Sequence, residues 1–384
     1  MKNYVTPGVY VEEVKALSLS IASGDSAIPV IAAADDDFAM MEKGDAVLHF
    51  EIASWLDVTN RVLTVARADA TAKDPIRNPR EGVTDAAEPP DPLAGLDTNL
   101  GRALKAYFIN GGGRAYVCKS GSLTAVVPLL SDVTLLVDAG TSLPATTVTA
   151  ICTAESGIFG VLDAQKVAFS GSNGSALQAS TASEYVATYY PWLKDGDKDV
   201  PPSAVMAGIY VKSDTERGVW QAPANIAVQG AQVESYMSDA HHGVLNDLAA
   251  PINVIRKERD GPPKVWGART AKKASPFRYI QVRRLFNSLE RDIRRSMKRA
   301  VFEPNTSATW ETVRSAIDNY LYSIWRQGGL VGAKPEEAYR VLIGRDVTMT
   351  AEDIEAGSLV AEVAVAPVRP AEFVVIRFSE KMQG

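Results

Sequence analysis

KVWGARTAKKASPFRYIQVRRLFNSLERDIRRSMKRAVFEPN, residues 264–305, decides how the chain is read. From Pro276 onward it predicts one long helix, 276–301. Ile280, Val282, Leu285, Phe286, Leu289, Ile293, Met297 and Val301 recur at the three-and-four spacing of a single apolar stripe. The other faces carry Arg278, Arg283, Arg284, Arg291, Arg294, Arg295, Lys298 and Arg299, against only Glu290 and Asp292. A helix of net charge +6 thus sits in a chain of net charge −6. The simplest reading is a solvated charged face. A nucleic-acid site would need base-reading or stacking groups as well. The third reading, an acidic protein partner, gains support from the rest of the chain.

The length of 384 residues accommodates two or three domains with cores of their own. Hydrophobic residues make up 46% and charged residues 22%, ordinary for a globular protein. There is no run long and apolar enough to cross a membrane, so no stable membrane insertion is expected. The opening MKNYVTPGVYVEEV lacks the apolar segment of a secretory signal. Cys118 and Cys152 are too few for a disulfide scaffold or zinc cluster, which suits synthesis in a reducing cytoplasm. Charge is split along the chain: residues 261–384 carry 20 basic and 14 acidic residues, net +6, leaving residues 1–260 at net −12. One acidic and one basic portion favour charge-complementary assembly.

In chain order, residues 4–14 alternate as a strand after the Pro7-Gly8 turn signal, with Val9 and Val11 pointing one way and Tyr10 and Glu12 the other. Such a terminal strand either closes its own sheet or is donated to another. Residues 26–34 predict a short buried strand. Residues 45–57 read as helical or mixed, with Trp55 and Leu56 as core candidates. The Pro- and Asp-rich stretch 69–92 reads as a surface loop. A helix follows, capped by Asp97 or Thr98, with Leu100, Leu104, Tyr107 and Phe108 inward and a stop at Asn110-Gly111. Strand Ala115–Cys118 completes an α/β unit. Residues 122–168 alternate apolar runs and turns, forming further α/β units or an insertion. Pro201-Pro202 opens another helix, and Pro251–Arg256 is a strand. Asp260-Gly261-Pro262-Pro263 marks a boundary. After the basic helix, Phe302-Glu303-Pro304-Asn305 is a stop. A second helix, capped by Ser307 or Thr309, has a stripe of Trp310, Val313, Ile317, Tyr320, Leu321, Ile324 and Trp325 and ends at Gly328-Gly329. Three strands close the chain, the last including Phe373, Val375 and Arg377.

No catalytic set can be assembled. His49, His241 and His242 give no HExxH spacing. Ser170-Gly171-Ser172 lacks the first glycine of a nucleophile elbow. Gly111-Gly112-Gly113-Arg114 lacks the GK[ST] of a phosphate loop and precedes a strand. Cys118, inside an apolar strand, reads as an inert thiol. No metal or cofactor is expected.

Several stretches together resemble the contractile tail sheath family of phage tails, R-type bacteriocins and extracellular contractile injection systems. They are Thr6–Glu13, Phe108–Tyr116, Pro202–Asn225 (with Asp214 and Arg217-Gly218-Val219-Trp220), Trp266–Thr270, Tyr279-Ile280, Arg283-Arg284, Phe302–Asn305, Trp310, Gly328–Gly332 and Pro370-Ala371-Glu372. The resemblance implies a non-enzymatic structural protein with an α/β core, subtilisin-like in shape but without a triad. It also implies a C-terminal α+β domain and N- and C-terminal strand arms exchanged between subunits. Domains would run 1–24 (arm), 25–260 (core, with an outward-facing insertion about 120–190), 261–357 (C-terminal domain with the tube-facing helix) and 358–384 (strands and arm). Val9, Val11, Val14, Phe373, Val375 and Arg377 would belong to the arms. Arg283, Arg284, Arg291, Arg294, Arg295, Lys298 and Arg299 would meet an acidic inner tube. Implied partners are further copies in a helical sheath of six-fold discs, the inner tube, and baseplate and terminator proteins. No nucleic acid is implied, though a nucleic-acid-binding module using helix 276–301 is the alternative. The implied location is the producing bacterium's cytoplasm, then a released particle or virion tail.

Overall fold

The computed structural model describes residues 19–44, 46–73, 91–177, 181–234, 236–257 and 261–370. The expected arm residues Val9, Val11, Val14, Phe373, Val375 and Arg377 lie outside the described residues, as does the stretch 74–90.

Ten strands belong to the first part of the chain: β1 Pro29–Ala33, β2 His49–Ile52, β3 Ala115–Lys119, β4 Leu135–Val137, β5 Phe159–Asp163, β6 Val186–Tyr190, β7 Leu193–Asp195, β8 Lys198–Val200, β9 Ile252–Arg256 and β10 Lys264–Val265. Eight of them form one sheet in the order β10-β9-β6-β5-β4-β1-β3-β2. The inner pairings are parallel, and β2 and β10 cap the edges antiparallel. β7 and β8 make a small hairpin beside it.

Parallel strands need crossovers, which cover both faces of the sheet and force both to be apolar. β1 is buried at all five positions. Ile31 and Ala33 face one core with Val117, Val137 and Val161, while Val30 and Ala32 face the other with Cys118, Leu136 and Leu162. The first core is closed by three long helices: α1 Trp55–Lys73, α2 Asn99–Ile109 and α3 Pro202–Arg217. Short helical turns, Leu123–Val126 and Ala145–Ile151, close the second.

The predicted α2 is confirmed in detail. The Thr98 side chain accepts a hydrogen bond from the Gly101 amide, and Gly111 ends the helix at φ +98°. Leu100, Leu104 and Tyr107 point into the core. Other expectations are corrected. Leu56 is 65% exposed, because it lies on the outer side of α1. The run 69–92 starts as helix, since α1 extends to Lys73. The apolar runs near 123–129 and 145–151 coil into short helical turns that cover the sheet. His241 and His242 lie in the first turn of α4, Asp239–Asp247, where the Ser238 hydroxyl caps the His241 amide.

Two compact units emerge. The larger holds Gly24–Arg291, and the smaller holds Asp292–Ala366. β10 pairs with β9 within the larger unit. The dividing point falls inside α5, Ile280–Met297. The smaller unit contains α6, Ser307–Arg326, and the antiparallel pair β11 Tyr339–Leu342 and β12 Glu362–Val365. Val313, Ile317, Tyr320, Leu321 and Ile324 form the buried stripe of α6, as its periodicity predicts. The N-cap is Thr306, one residue ahead of the expected Ser307. Asn305 anchors the entry to α6: it accepts from the Trp310 indole at 2.6 Å and donates to the Ser358 carbonyl at 2.9 Å.

Helices α2 and α3 touch through Gly208, where a Cβ would meet the Tyr107 carbonyl oxygen at 2.3 Å. Backbone cannot yield as a side chain can. Gly208→Ala is expected to destabilise the larger unit by about 1–3 kcal/mol, through overpacking. Denaturant unfolding measures it, and an unchanged midpoint would contradict this packing.

Candidate functional site

Helix α5 changes character along its length. From Ile280 to Leu289 nearly every side chain is buried, Phe286 being the half-buried one. The expected pattern of one apolar stripe and open basic faces therefore does not hold there. Arg283 and Arg284 are each 3% exposed.

Arg284 makes a two-pronged ion pair with Asp214 on α3. Nη1 donates to Oδ1 at 3.0 Å and Nη2 to Oδ2 at 2.6 Å. Nη2 also donates to the Ser26 carbonyl at 3.0 Å, and the Ser26 hydroxyl donates to Asp214 at 2.5 Å. The guanidinium lies 4.5 Å from the Tyr210 ring centre, and Tyr210 and Tyr189 share a hydroxyl hydrogen bond of 2.7 Å. This planar, fully bonded geometry suits arginine and would be lost on lysine. Arg283 donates to Asn287 at 2.7 Å and Glu290 at 3.1 Å, packed against the rings of Phe277 and Tyr185. Neither charge is presented at the surface. The alternative nucleic-acid surface over 276–301 loses these two cations as well.

Beyond Arg291, which is half-buried, the helix opens. Arg294, Arg295, Lys298 and Arg299 are exposed, the last two in a 3-10 turn that continues the helix. Val301 and Phe302 follow, 57% and 102% exposed. The exposed end of this helix is a four-cation group followed by an apolar tip. Sequence periodicity placed Val301 in the stripe and read Phe302 only as part of a stop.

A second cluster escaped the sequence reading entirely. Asp138, after β4, and Asp163, at the end of β5, are buried beside the N-terminus of α3. Asp163 accepts from the Ser203 amide (2.7 Å), the Ser203 hydroxyl (2.8 Å) and the Gly140 amide (2.8 Å). Ser203 in turn accepts from the Ala139 amide at 2.9 Å. The Asp138 carboxylate accepts from the Leu143 amide and the Thr141 hydroxyl. Ser203 is fully buried and its partner is a carboxylate instead of an imidazole, so the cluster ties loops together and activates no nucleophile. Burial raises both carboxyl pKa values, and the nearby Asp138 charge helps push Asp163 to about 8. Burial likewise pushes the Cys118 thiol up to about 12, in keeping with an inert thiol.

The model of the phage tail sheath C-terminal domain matches residues 272–379. Among solved structures, the sheath of the extracellular contractile injection system PVC, in its contracted state, is 40% identical. The match covers 99% of each chain with a TM-score of 0.83. The chain belongs to the contractile tail sheath family. The contracted helical sheath of the anti-feeding prophage is 34% identical, over 98% of this sheath chain and 100% of that one, with a TM-score of 0.75. The tail sheath protein of Vibrio phage KVP40 is 27% identical over 194 residues. That match takes in 49% of this sheath chain and 28% of the phage protein, so this chain spans less than a third of the phage relative's length.

Arg284→Ala leaves the buried Asp214 unpaired and should cost about 3–5 kcal/mol, whereas exposed Arg299→Ala should stay within about 0.5 kcal/mol. Comparable losses in denaturant unfolding would refute the division of α5 into a buried and an exposed half. For Asp163, a folded pKa raised above the unfolded value means stability is full below the ordinary carboxyl range of about 4. It should then be lost as pH rises through about 8. Unfolding measured between pH 4 and 9 should show this fall, and Asp163→Asn should flatten the slope whatever its mean stability.

Proposed function

We propose that this chain is the protomer of a contractile sheath. It polymerises helically around an inner tube and shortens to drive that tube through a target envelope. The observation that carries this reading is the near-complete match to a contracted injection-system sheath at 40% identity. Relatives solved in a helical sheath and in a six-fold-symmetrised baseplate support a polymer that also meets baseplate proteins. Six-fold discs and terminator proteins complete the proposed assembly. The role is mechanical, without catalysis. Synthesis in a bacterial cytoplasm and release in a particle or virion tail complete the reading.

The core of this proposal is a non-catalytic, subtilisin-like α/β domain, a designation supported by the six parallel strands of the main sheet. Residues 25–260 form the body of that domain, with about 120–190 turned outward, and 261–357 form the C-terminal domain. Residues 1–24 and 358–384 supply strand arms that join neighbouring subunits, with Val9, Val11, Val14, Phe373, Val375 and Arg377 in the added strands. One feature of the smaller unit favours exchange. Among the described residues β11 and β12 pair only with each other, and a two-stranded sheet is marginal unless further strands join it. Backbone pairing across subunits tolerates rotation better than side-chain interdigitation does, so such arms act as hinges.

The exposed group Arg294, Arg295, Lys298 and Arg299, flanked by Arg291, docks on an acidic tube surface. Arg283 and Arg284 hold the helix in its own unit and take no part. Exposed ion pairs contribute about 0–1 kcal/mol each and are screened beyond roughly 8 Å in physiological salt. Contacts this weak hold an extended sheath on its tube collectively and release together. Reversing these four charges to glutamate should leave the fold intact and abolish tube-bound sheath at physiological salt. Co-expression with the tube protein, followed by electron microscopy, tests this; normal tube-filled sheaths from the variant would refute the docking assignment.

A further inference from the structure

A half-open cavity of about 590 Å³ lies in the larger unit, beside α4, the residues that follow β10 and the residue that precedes α5. Ala222, Ala224, Trp266, Ala268 and Tyr279 give it an apolar lining. They come from Ala222–Asn225, Trp266–Thr270 and Tyr279-Ile280, stretches that carry the sheath resemblance but have no part in the tube-facing group. The walls are held by paired backbone. The Asn225 amide donates to the Val265 carbonyl at 2.7 Å, the Trp266 amide to the Val254 carbonyl at 2.7 Å and the Ile280 amide to the Ala268 carbonyl at 3.0 Å. The Arg256 guanidinium backs the Trp266 ring, 4.8 Å from its centre. The cavity is thus preformed. Asp239 is the one charged group among the described residues that line it, and Arg256 already pairs with it. An apolar occupant therefore suits it better than an ion. Asn225, exposed at its wall, offers a side-chain amide that can bond a peptide backbone.

Pro370 is also a wall residue. Pro367–Pro370 group with the larger unit, so this wall is part of the same unit as the rest of the cavity. The chain continues from it as Ala371-Glu372-Phe373-Val374-Val375-Ile376-Arg377-Phe378, a strongly apolar run. Phe373 is three residues past Pro370, a reach of at most about 11 Å along an extended chain. An apolar cavity of about 150 Å³ already takes benzene, so this one has room for a phenyl ring and the backbone that carries it. A segment tethered at the wall meets the cavity at an effective concentration on the order of 1 mM. In dilute solution a second copy cannot match that, so the tether selects the chain's own segment as occupant.

We propose that this cavity stores the C-terminal segment in the unassembled chain: Phe373 seats on Trp266 and Tyr279, beside Ala222 and Ala224, and withdraws when the segment pairs with a neighbour. Storage covers an apolar strand whose open edge would otherwise invite indiscriminate pairing. Exchanging a stored element for the same element of another copy is a low-cost route to a polymer. The stored segment slows the start of assembly without altering the final lattice. The seat itself stands on the cavity and the tether. Its role in assembly rests on the reading of the chain as a sheath protomer with exchanged arms.

The test uses the full-length chain, isolated unassembled by size exclusion. A chain carrying both Ala224→Cys and Val374→Cys keeps the Phe373 ring. A short thiol-to-thiol cross-linker should join the two cysteines within one chain, at a yield independent of protein concentration. The native Cys118 and Cys152 are buried, so neither single variant should link. No link, or links only between chains, overturns the seat. In polymers of the double variant the link within a chain should be lost, and its persistence overturns the withdrawal. Ala224→Trp fills the cavity from a half-buried position. It should unfold at the parent's midpoint, lose residues 378–384 to trypsin at least about tenfold faster, because cleavage tracks the open population, and shorten the lag before assembly. Phe373→Ala should show the same faster cleavage, which keeps the seat testable if Ala224→Trp folds poorly. Parent-like cleavage in Phe373→Ala overturns the seat while leaving the sheath reading intact. An unchanged lag in a folded Ala224→Trp overturns the storage role. A parent chain that never polymerises overturns the sheath reading and the storage role with it, while the link within one chain still decides the seat.

Discussion

The paired charges of Arg284 and Asp214 tie α5, α3 and the segment at Ser26 together in the larger unit. An ion pair that is 3% and 5% exposed must be fully bonded, or its desolvation is uncompensated. Here two parallel hydrogen bonds, the Ser26 carbonyl and hydroxyl, and the Tyr210 ring meet that requirement. The pair fixes the start of α5 against α3 and against the chain leading into β1. Burying the first half of a basic helix is what confines the available positive charge to the second half.

That confinement gives a physical meaning to the uneven charge of the chain. The net −12 of residues 1–260 and the net +6 of residues 261–384 are not spread evenly over each part. Some positive charge is spent internally, on Asp214, Glu290 and Glu184. What reaches the surface along this helix is a group of four cations, followed in sequence by an exposed phenylalanine. A polymer that must hold and then let go benefits from contacts of this kind. They are individually weak, salt-screened and lost together.

Much of the fold was legible because it rests on short-range rules. The Thr98 cap, the Gly111 stop and the apolar β1 and β3 were readable from spacing and turn chemistry alone, as was the stripe of α6. Three things were not. Leu56 reads as core by type, yet its exposure depends on which side of α1 faces the sheet. Arg283 and Arg284 read as surface cations, because their partners Asp214 and Glu184 lie far away in sequence and only the parallel sheet brings them close. Asp138, Asp163 and Ser203 meet by the same long-range geometry, and no spacing announces them. The candidate surface was half legible: its cations follow from the helix periodicity, whereas the isolation of Phe302 follows from a left-handed backbone that sequence pattern does not reveal. The family resemblance supplied the sheath reading, and the near-full-length structural match established the family.

The central claim is that this chain builds a helical sheath. Electron microscopy of the purified full-length protein, expressed without any partner, addresses it most directly. The account predicts long hollow helical tubes, wide enough to surround an inner tube and with the subunit lattice of a contracted sheath. Monodisperse single particles across salt and protein concentration would contradict it.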